Sequence, residues 1–221
     1  MKDLLRLILV LTIICAVSAG LLALVESLTA DARAQAKRAE MLRAIQSVMP
    51  IGYANEPDRS IVSVNDAAGN PHKIFVGLKA DGQVTGFAFQ SADPKGYGGE
   101  IQLMIGLTAD GVITGIEILQ HKETPGLGTK IQDPEFRQAF EGKTLDNSAW
   151  KVQKEGGSFP QFAGATISPR AVVNAVQRGL EFYRSAQDQI RAKAAALSTA
   201  GDSTAADSEP AAVPTGPAGE E

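Results

Sequence analysis

From residue 7 to residue 25 the chain reads LILVLTIICAVSAGLLALV, an apolar run with no charge in it. As a helix rising ~1.5 Å per residue, the run approaches the ~30 Å hydrocarbon core of a bilayer. A cleaved signal peptide is the competing reading. The run is long for a signal core, no good small-x-small cleavage site follows it, and TII before Cys15 is not a lipid-attachment site. The expectation is an uncleaved anchor, with a stub and membrane span over 1–29. The next stretch, ESLTADARAQAKRAEMLRAIQSVMP, is rich in Ala, Arg, Lys, Glu and Leu and has no glycine before Gly52. It predicts a helical stalk over 30–50 that ends at Pro50, with Ala39, Leu42, Ile45 and Met49 as its packing stripe.

Beyond the stalk the apolar pattern shortens. HKIFVGLKADGQVTGFAFQ places two apolar runs around Asp81-Gly82, and IQLMIGLTADGVITGIEILQ repeats the arrangement around Asp110-Gly111. Asp-Gly between such runs predicts two hairpins with two-residue turns. The echo of KADGQVTGFAF in TADGVITGIEI reads either as a duplicated hairpin or as two answers to one turn constraint. DPEFRQAFEG predicts a short helix with Asp133 as N-cap, Pro134 in its first turn and Gly142 as C-cap. A longer helix is expected from Ser168 as N-cap and Pro169, with Val172, Val173, Val176, Leu180 and Tyr183 facing a sheet. The fold class is α+β: antiparallel hairpins packed by helices over 51–195. Residues 196–221 are Ala, Gly, Ser, Thr, Pro and acid, the composition of a disordered tail.

Composition narrows the function. The 221 residues carry 21 basic and 25 acidic side chains, and aromatic content is 5%. No basic field or stacking platform for nucleic acid is expected. One cysteine and two histidines leave no disulfide, thiolate cluster or histidine-rich metal site to build. Redox chemistry would therefore need a bound organic cofactor. Lys2 and Arg6 precede the span, while Arg33, Lys37, Arg38 and Arg43 follow it, so flanking charge favours neither orientation. A short N-terminal stub usually stays in the cytoplasm, which places the bulk of the chain outside it.

Two stretches carry candidate chemistry. In FAGATISPRAVVNAV, small residues lead through Thr166 to a helix start, where unpaired N–H groups and the positive end of the helix dipole favour a phosphate. The same pattern also suits a plain turn before a helix cap. In HKETPGLG, Pro125 fixes the backbone while Gly126 and Gly128 permit close approach. That loop reads as a connector or as a surface for a flat ring. His121 and Glu123 offer acid or base groups, but no spacing supports a triad or carboxylate pair. GYGGE at 96–100 precedes a strand, so it reads as a turn and not as a nucleotide cradle.

An anchor, then GYGGEIQLMIGLTADGVITGIEILQHKETPGLGTKI, then FAGATISPRAVVNAV resembles the G subunit of the Rnf (Rsx) electron-transport complex. The resemblance implies FMN joined by a phosphoester to the last threonine of a Ser/Thr-Gly-Ala-Thr motif, here Thr166, with Gly164, Ala165 and Ser168 beside it. Thr124, Pro125, Gly126, Leu127 and Gly128 match a family loop suited to packing beside the flavin, and the same resemblance makes Gly96 to Gly99 a second such loop. The chain departs from the family at Ala163, which lacks the motif's first hydroxyl, and at Pro160, where many members carry aspartate. The resemblance further implies a membrane complex moving electrons between ferredoxin and NAD, coupled to proton or sodium translocation. Its partners are the other subunits, a flavin transferase and membrane lipid, with no stand-alone turnover. Two alternatives remain: a membrane-anchored flavin-fold binding or assembly module without covalent flavin, and the C subunit of the sodium-pumping NADH:quinone reductase.

Overall fold

The computed structural model describes residues 2–66 and 68–202. They form two units that part between Arg43 and Ala44. Helix α1 runs Lys2–Val48 unbroken, because that stretch holds no proline and Gly20 as its single glycine. In the first unit it is long and apolar enough to cross a membrane, with side chains from Leu4 to Leu28 exposed. The Thr12 hydroxyl donates back to the Ile8 carbonyl at 2.8 Å, which satisfies a polar group within an apolar helix.

The second unit is built on a five-stranded antiparallel meander in the order β1 to β5. The strands are β1 Ile61–Asn65, β2 Pro71–Leu78, β3 Val84–Asp93, β4 Ile101–Thr108 and β5 Ile113–Gln120. The sequence pattern had not marked β1, a short strand on the edge of the sheet. Helix α3, Ile167–Asp202, packs mainly on β3 and β4. All five residues expected to face the sheet, from Val172 to Tyr183, are buried there. Its partners include Phe87, Phe89, Leu103, Ile105 and Leu107. Removing this apolar surface from water is the main favourable term in the fold. Helix α3 continues past residue 196, the expected start of the tail, because the alanine-rich AKAAAL segment favours helix. The tail beyond Asp202 lies outside the described residues.

The other sheet face receives the last turn of α1. Ala44, Ile45, Val48 and Met49 are buried, while Ala39 is exposed and Leu42 half-buried. The packing stripe is thus displaced toward the helix end, where the sheet begins. Two register-matched glycine pairs, Gly77 with Gly86 and Gly106 with Gly115, make the seat. A Cβ on Gly77 would come within 2.9 Å of Met49 Sδ, and one on Gly106 would drive into the Val48 carbonyl. Glycine weakens a strand, so its presence marks a place where another backbone must come close. The Thr114 hydroxyl donates to the Val48 carbonyl, and Ser47 Oγ donates to Glu117 Oε2 at 3.3 Å. The two echoing segments therefore play the same physical part, since GLKADGQVTG and GLTADGVITG each place a glycine pair under the helix end.

The hairpins do not use two-residue turns. Gly82 N–H donates to Lys79 O and Lys79 N–H to Gln83 O; Gly111 and Thr108 repeat the scheme with Val112. Only the glycines have positive φ, 77° at Gly82 and 82° at Gly111. This is a three-residue loop, a type I turn closed by a left-handed glycine. The aspartate stays in ordinary backbone space, so the glycine alone carries the conformational demand.

The β1–β2 connection closes the same way, with Gly69 at φ 87°. Here Asp66 accepts hydrogen bonds from the Ala68 and Asn70 N–H groups and the Asn70 side chain. The Asn70 side-chain bond, then the Asn70 N–H, lower its pKa from 3.8 to about 2, with smaller help from His72 and Ala68 against some burial. The folded state thus prefers the ionised form. Its contribution is full above pH ~4 and is lost as pH falls toward 2. Asp66→Asn is expected to flatten the fall of Tm between pH 4 and pH 2, measured by thermal melts across that range. An unchanged slope would refute this linkage.

Candidate functional site

Helix α2, Pro134–Gln138, is shorter than expected. Ala139 takes the C-cap. Gly142 lies beyond it, because its N–H pairs with the Ile113 carbonyl and turns the chain back to β5. Asp133 does hold the N-cap position, but its side chain makes no capping bond. From here a row of aromatic contacts leads to the FAGAT turn. Trp150 meets Phe159 at 4.8 Å between centroids, Phe159 stacks on Phe140 at 4.6 Å, and Phe136 joins Phe140 to Phe162. Aromatic pairs at such distances add stability beyond their area. They anchor the turn's first residue.

The turn itself is closed by Ala165 N–H donating to Phe162 O at 3.1 Å, with Gly164 at φ 78°. Positive φ at that position requires glycine. The chain then enters α3 two residues earlier than the sequence suggested. Thr166 takes the N-cap place, its carbonyl accepting the Arg170 N–H at 3.2 Å. Ser168 is not the cap. It is 1% exposed, and its hydroxyl donates to Glu123 Oε2 at 2.5 Å. Glu123 is a better partner than the helix's own amides because it is buried and needs a donor.

Glu123 ties a third segment to this point. Its Oε1 accepts the Gly98 N–H at 3.1 Å, while its own N–H donates to His121 Nδ1 at 3.1 Å. Gly98 permits no side chain, since a Cβ would run into the Lys122 carbonyl. The 96–100 loop, the 121–128 loop and the start of α3 thereby meet around a cavity of about 260 Å³. Its lining comprises Tyr97, Glu123, Thr124, Leu127, Gly128 and the stretch Gly164 to Ser168.

Most of the residues nominated from sequence therefore share one wall. Thr124, Leu127 and Gly128 stand with Gly164, Ala165, Thr166 and Ser168. Pro125 and Gly126 do not line the cavity: both are exposed, and Gly126 serves the turn at φ 74°. Sequence reasoning missed Ile167 as a lining residue and the structural part played by Glu123. The available signal was a lone acid between a histidine and a Pro/Gly loop. A larger open groove of about 860 Å³ lies between α3 and the sheet near His72, Arg178 and Phe182. It carries mixed charge and none of the nominated residues, so size alone does not mark the site.

Residues 96–181 match the FMN-binding domain family, and every residue lining the smaller cavity lies inside that match. The chain is 39% identical over 191 residues to the G subunit of the ion-translocating oxidoreductase complex of Vibrio cholerae, covering 82% of this chain and 91% of that one. The chain belongs to this G-subunit family. The G subunit of Pseudomonas aeruginosa is 37% identical over 201 residues, covering 86% of this chain and 94% of its own. The fold is shared with a crystal structure of the C subunit of Na(+)-translocating NADH-quinone reductase from Parabacteroides distasonis. That match has TM-score 0.51 and 19% identity, and covers 69% of this chain and 94% of the other. Among the described residues α1 is the single helix long and apolar enough to cross a membrane, and the relatives are named as subunits of an ion-translocating oxidoreductase complex.

Proposed function

We propose that the chain is the flavin-carrying electron relay of its complex, with FMN joined by a phosphoester to Thr166. The complex would couple electron transfer between ferredoxin and NAD to movement of protons or sodium. The observation that carries this reading is the single cavity shared by the Thr166 turn and the 121–128 loop. Its residues suit such a group. Amides in the first turn of α3 have no intrahelical acceptors and favour a phosphate. Leu127, Tyr97 and Ile167 offer apolar surface to a ring, while Gly164 and Ala165 leave room beside the threonine. When bound, FMN supplies the ability to take two electrons and release them singly. The chain's own part is to hold the group by a covalent tether and to shape its surroundings.

The two departures from the family motif leave this cavity untouched. Neither Ala163 nor Pro160 belongs to its lining, and Ala163 is exposed on the outer corner of the turn. A missing hydroxyl there removes nothing from the wall. The relay would sit outside the cytoplasm, anchored by α1 in lipid beside the other subunits, and a flavin transferase would attach the group. The test is direct. Full-length protein made with a flavin transferase should fluoresce under ultraviolet light after denaturing electrophoresis. A dark band would overturn the covalent reading and leave a flavin-fold binding module in its place.

A further inference from the structure

Among the described residues Glu123 is the one charged residue lining the cavity, and it is 5% exposed. The fold encloses it closely. A Cβ on Gly96 would come within 2.7 Å of its Oε1, and one on Gly128 within 2.7 Å of its Oε2. Its side-chain partners, the Gly98 N–H and the Ser168 hydroxyl, are neutral dipoles. They satisfy the carboxylate without cancelling its charge. Burying a carboxylate without a cation is costly. A neutral glutamine of similar size would join the same loops at lower cost. The charge therefore has a use besides the joining.

We propose that Glu123 sets the reduction potential of the group held in this cavity, acting as a fixed negative charge in its wall. The inference rests on the flavin reading above. Held by a carboxylate that is itself buried, a nearby negative charge opposes the addition of electrons. Glu123 thus holds the potential down, and the Ser168 hydroxyl moderates it by directing a positive dipole at the carboxylate.

The two residues predict shifts of opposite sign. The experiment is a spectroelectrochemical titration of detergent-purified, full-length protein made with a flavin transferase. Glu123→Gln is expected to raise the midpoint by about 30 mV, equal to a tenfold change in the reduced-to-oxidised ratio of a two-electron couple. Ser168→Ala removes the moderating dipole and is expected to lower it. Coincident titrations of wild type and Glu123→Gln overturn the inference. So do shifts of the same sign in both variants, which general loosening of the site would give. If Glu123→Gln retains no flavin, Ser168→Ala decides: a lowered midpoint supports the charge role, and an unchanged or raised one sinks it. A wild type without flavin defeats the functional reading itself, whereas a flavinylated set with equal potentials defeats this inference alone.

Discussion

Thr166→Ala, made beside a flavin transferase, is expected to give a dark band under ultraviolet light where the wild type fluoresces. The expected loss is complete, because an ester needs a hydroxyl. Two other aliphatic hydroxyls line the same cavity, and neither is a substitute. Ser168 is buried and committed to Glu123. Thr124 is exposed but belongs to the 121–128 loop and not to the start of α3, where the helix dipole favours a phosphate. Thr166→Ser and Thr124→Ala should both stay fluorescent. The substitution should leave the fold intact, since Thr166 contributes its carbonyl to the first helical hydrogen bond, and alanine keeps that carbonyl. A fluorescent Thr166→Ala band with an unchanged melt would place the attachment elsewhere.

The second large effect is expected in the glycine seat. At Gly106 a methyl group would overlap the Val48 carbonyl oxygen and carbon and crowd Thr114 Oγ1 at 2.7 Å. The nearest obstacle is backbone, which cannot rotate away. The same Val48 carbonyl is the acceptor for Thr114, so displacing it also loses a hydrogen bond. Gly106→Ala should therefore cost about 3 kcal/mol, the upper part of the usual overpacking range, or roughly 10 °C in Tm. Gly115, its register partner, is the control. A Cβ there would meet Val48 Cα at 3.5 Å, an ordinary contact. Gly115→Ala should be neutral or slightly stabilising, because alanine loses less backbone freedom on folding. Thermal melts of the detergent-solubilised full chain separate the two. Equal melting temperatures for both variants would mean that the α1 end does not rest on Gly106.

Some features of the molecule were legible in the residues and others were not, and the difference is one of range. Period and punctuation are local properties. The uncharged run at 7–25, the paired Asp-Gly turns and the Val172 to Tyr183 spacing each carried enough local information to predict an element. The short β1 strand carried less. Its five residues, IVSVN, form an edge strand that exists by pairing with β2.

The motif FAGAT and the loop ETPGLG could be named from sequence, but only the fold puts Thr124, Leu127 and Gly128 at one cavity with Thr166. It also removed Pro125 and Gly126 from that wall, for a turn's direction depends on what it packs against. Ser168 shows the same division. In one dimension a serine before a proline reads as a cap. In three it lies beside a buried carboxylate from the 121–128 loop, and that partner decides where its hydroxyl goes. The glycine pairs were visible as letters, yet their reason was not: the empty space they leave is filled by a helix end that precedes them in the chain. The sequence by itself determined which segments are helix or hairpin and which helix is apolar enough to cross a membrane, because those preferences act over a few residues. Tertiary structure alone decided the cavity, the buried Glu123 and the seat for α1, because each depends on contacts between segments far apart in the chain.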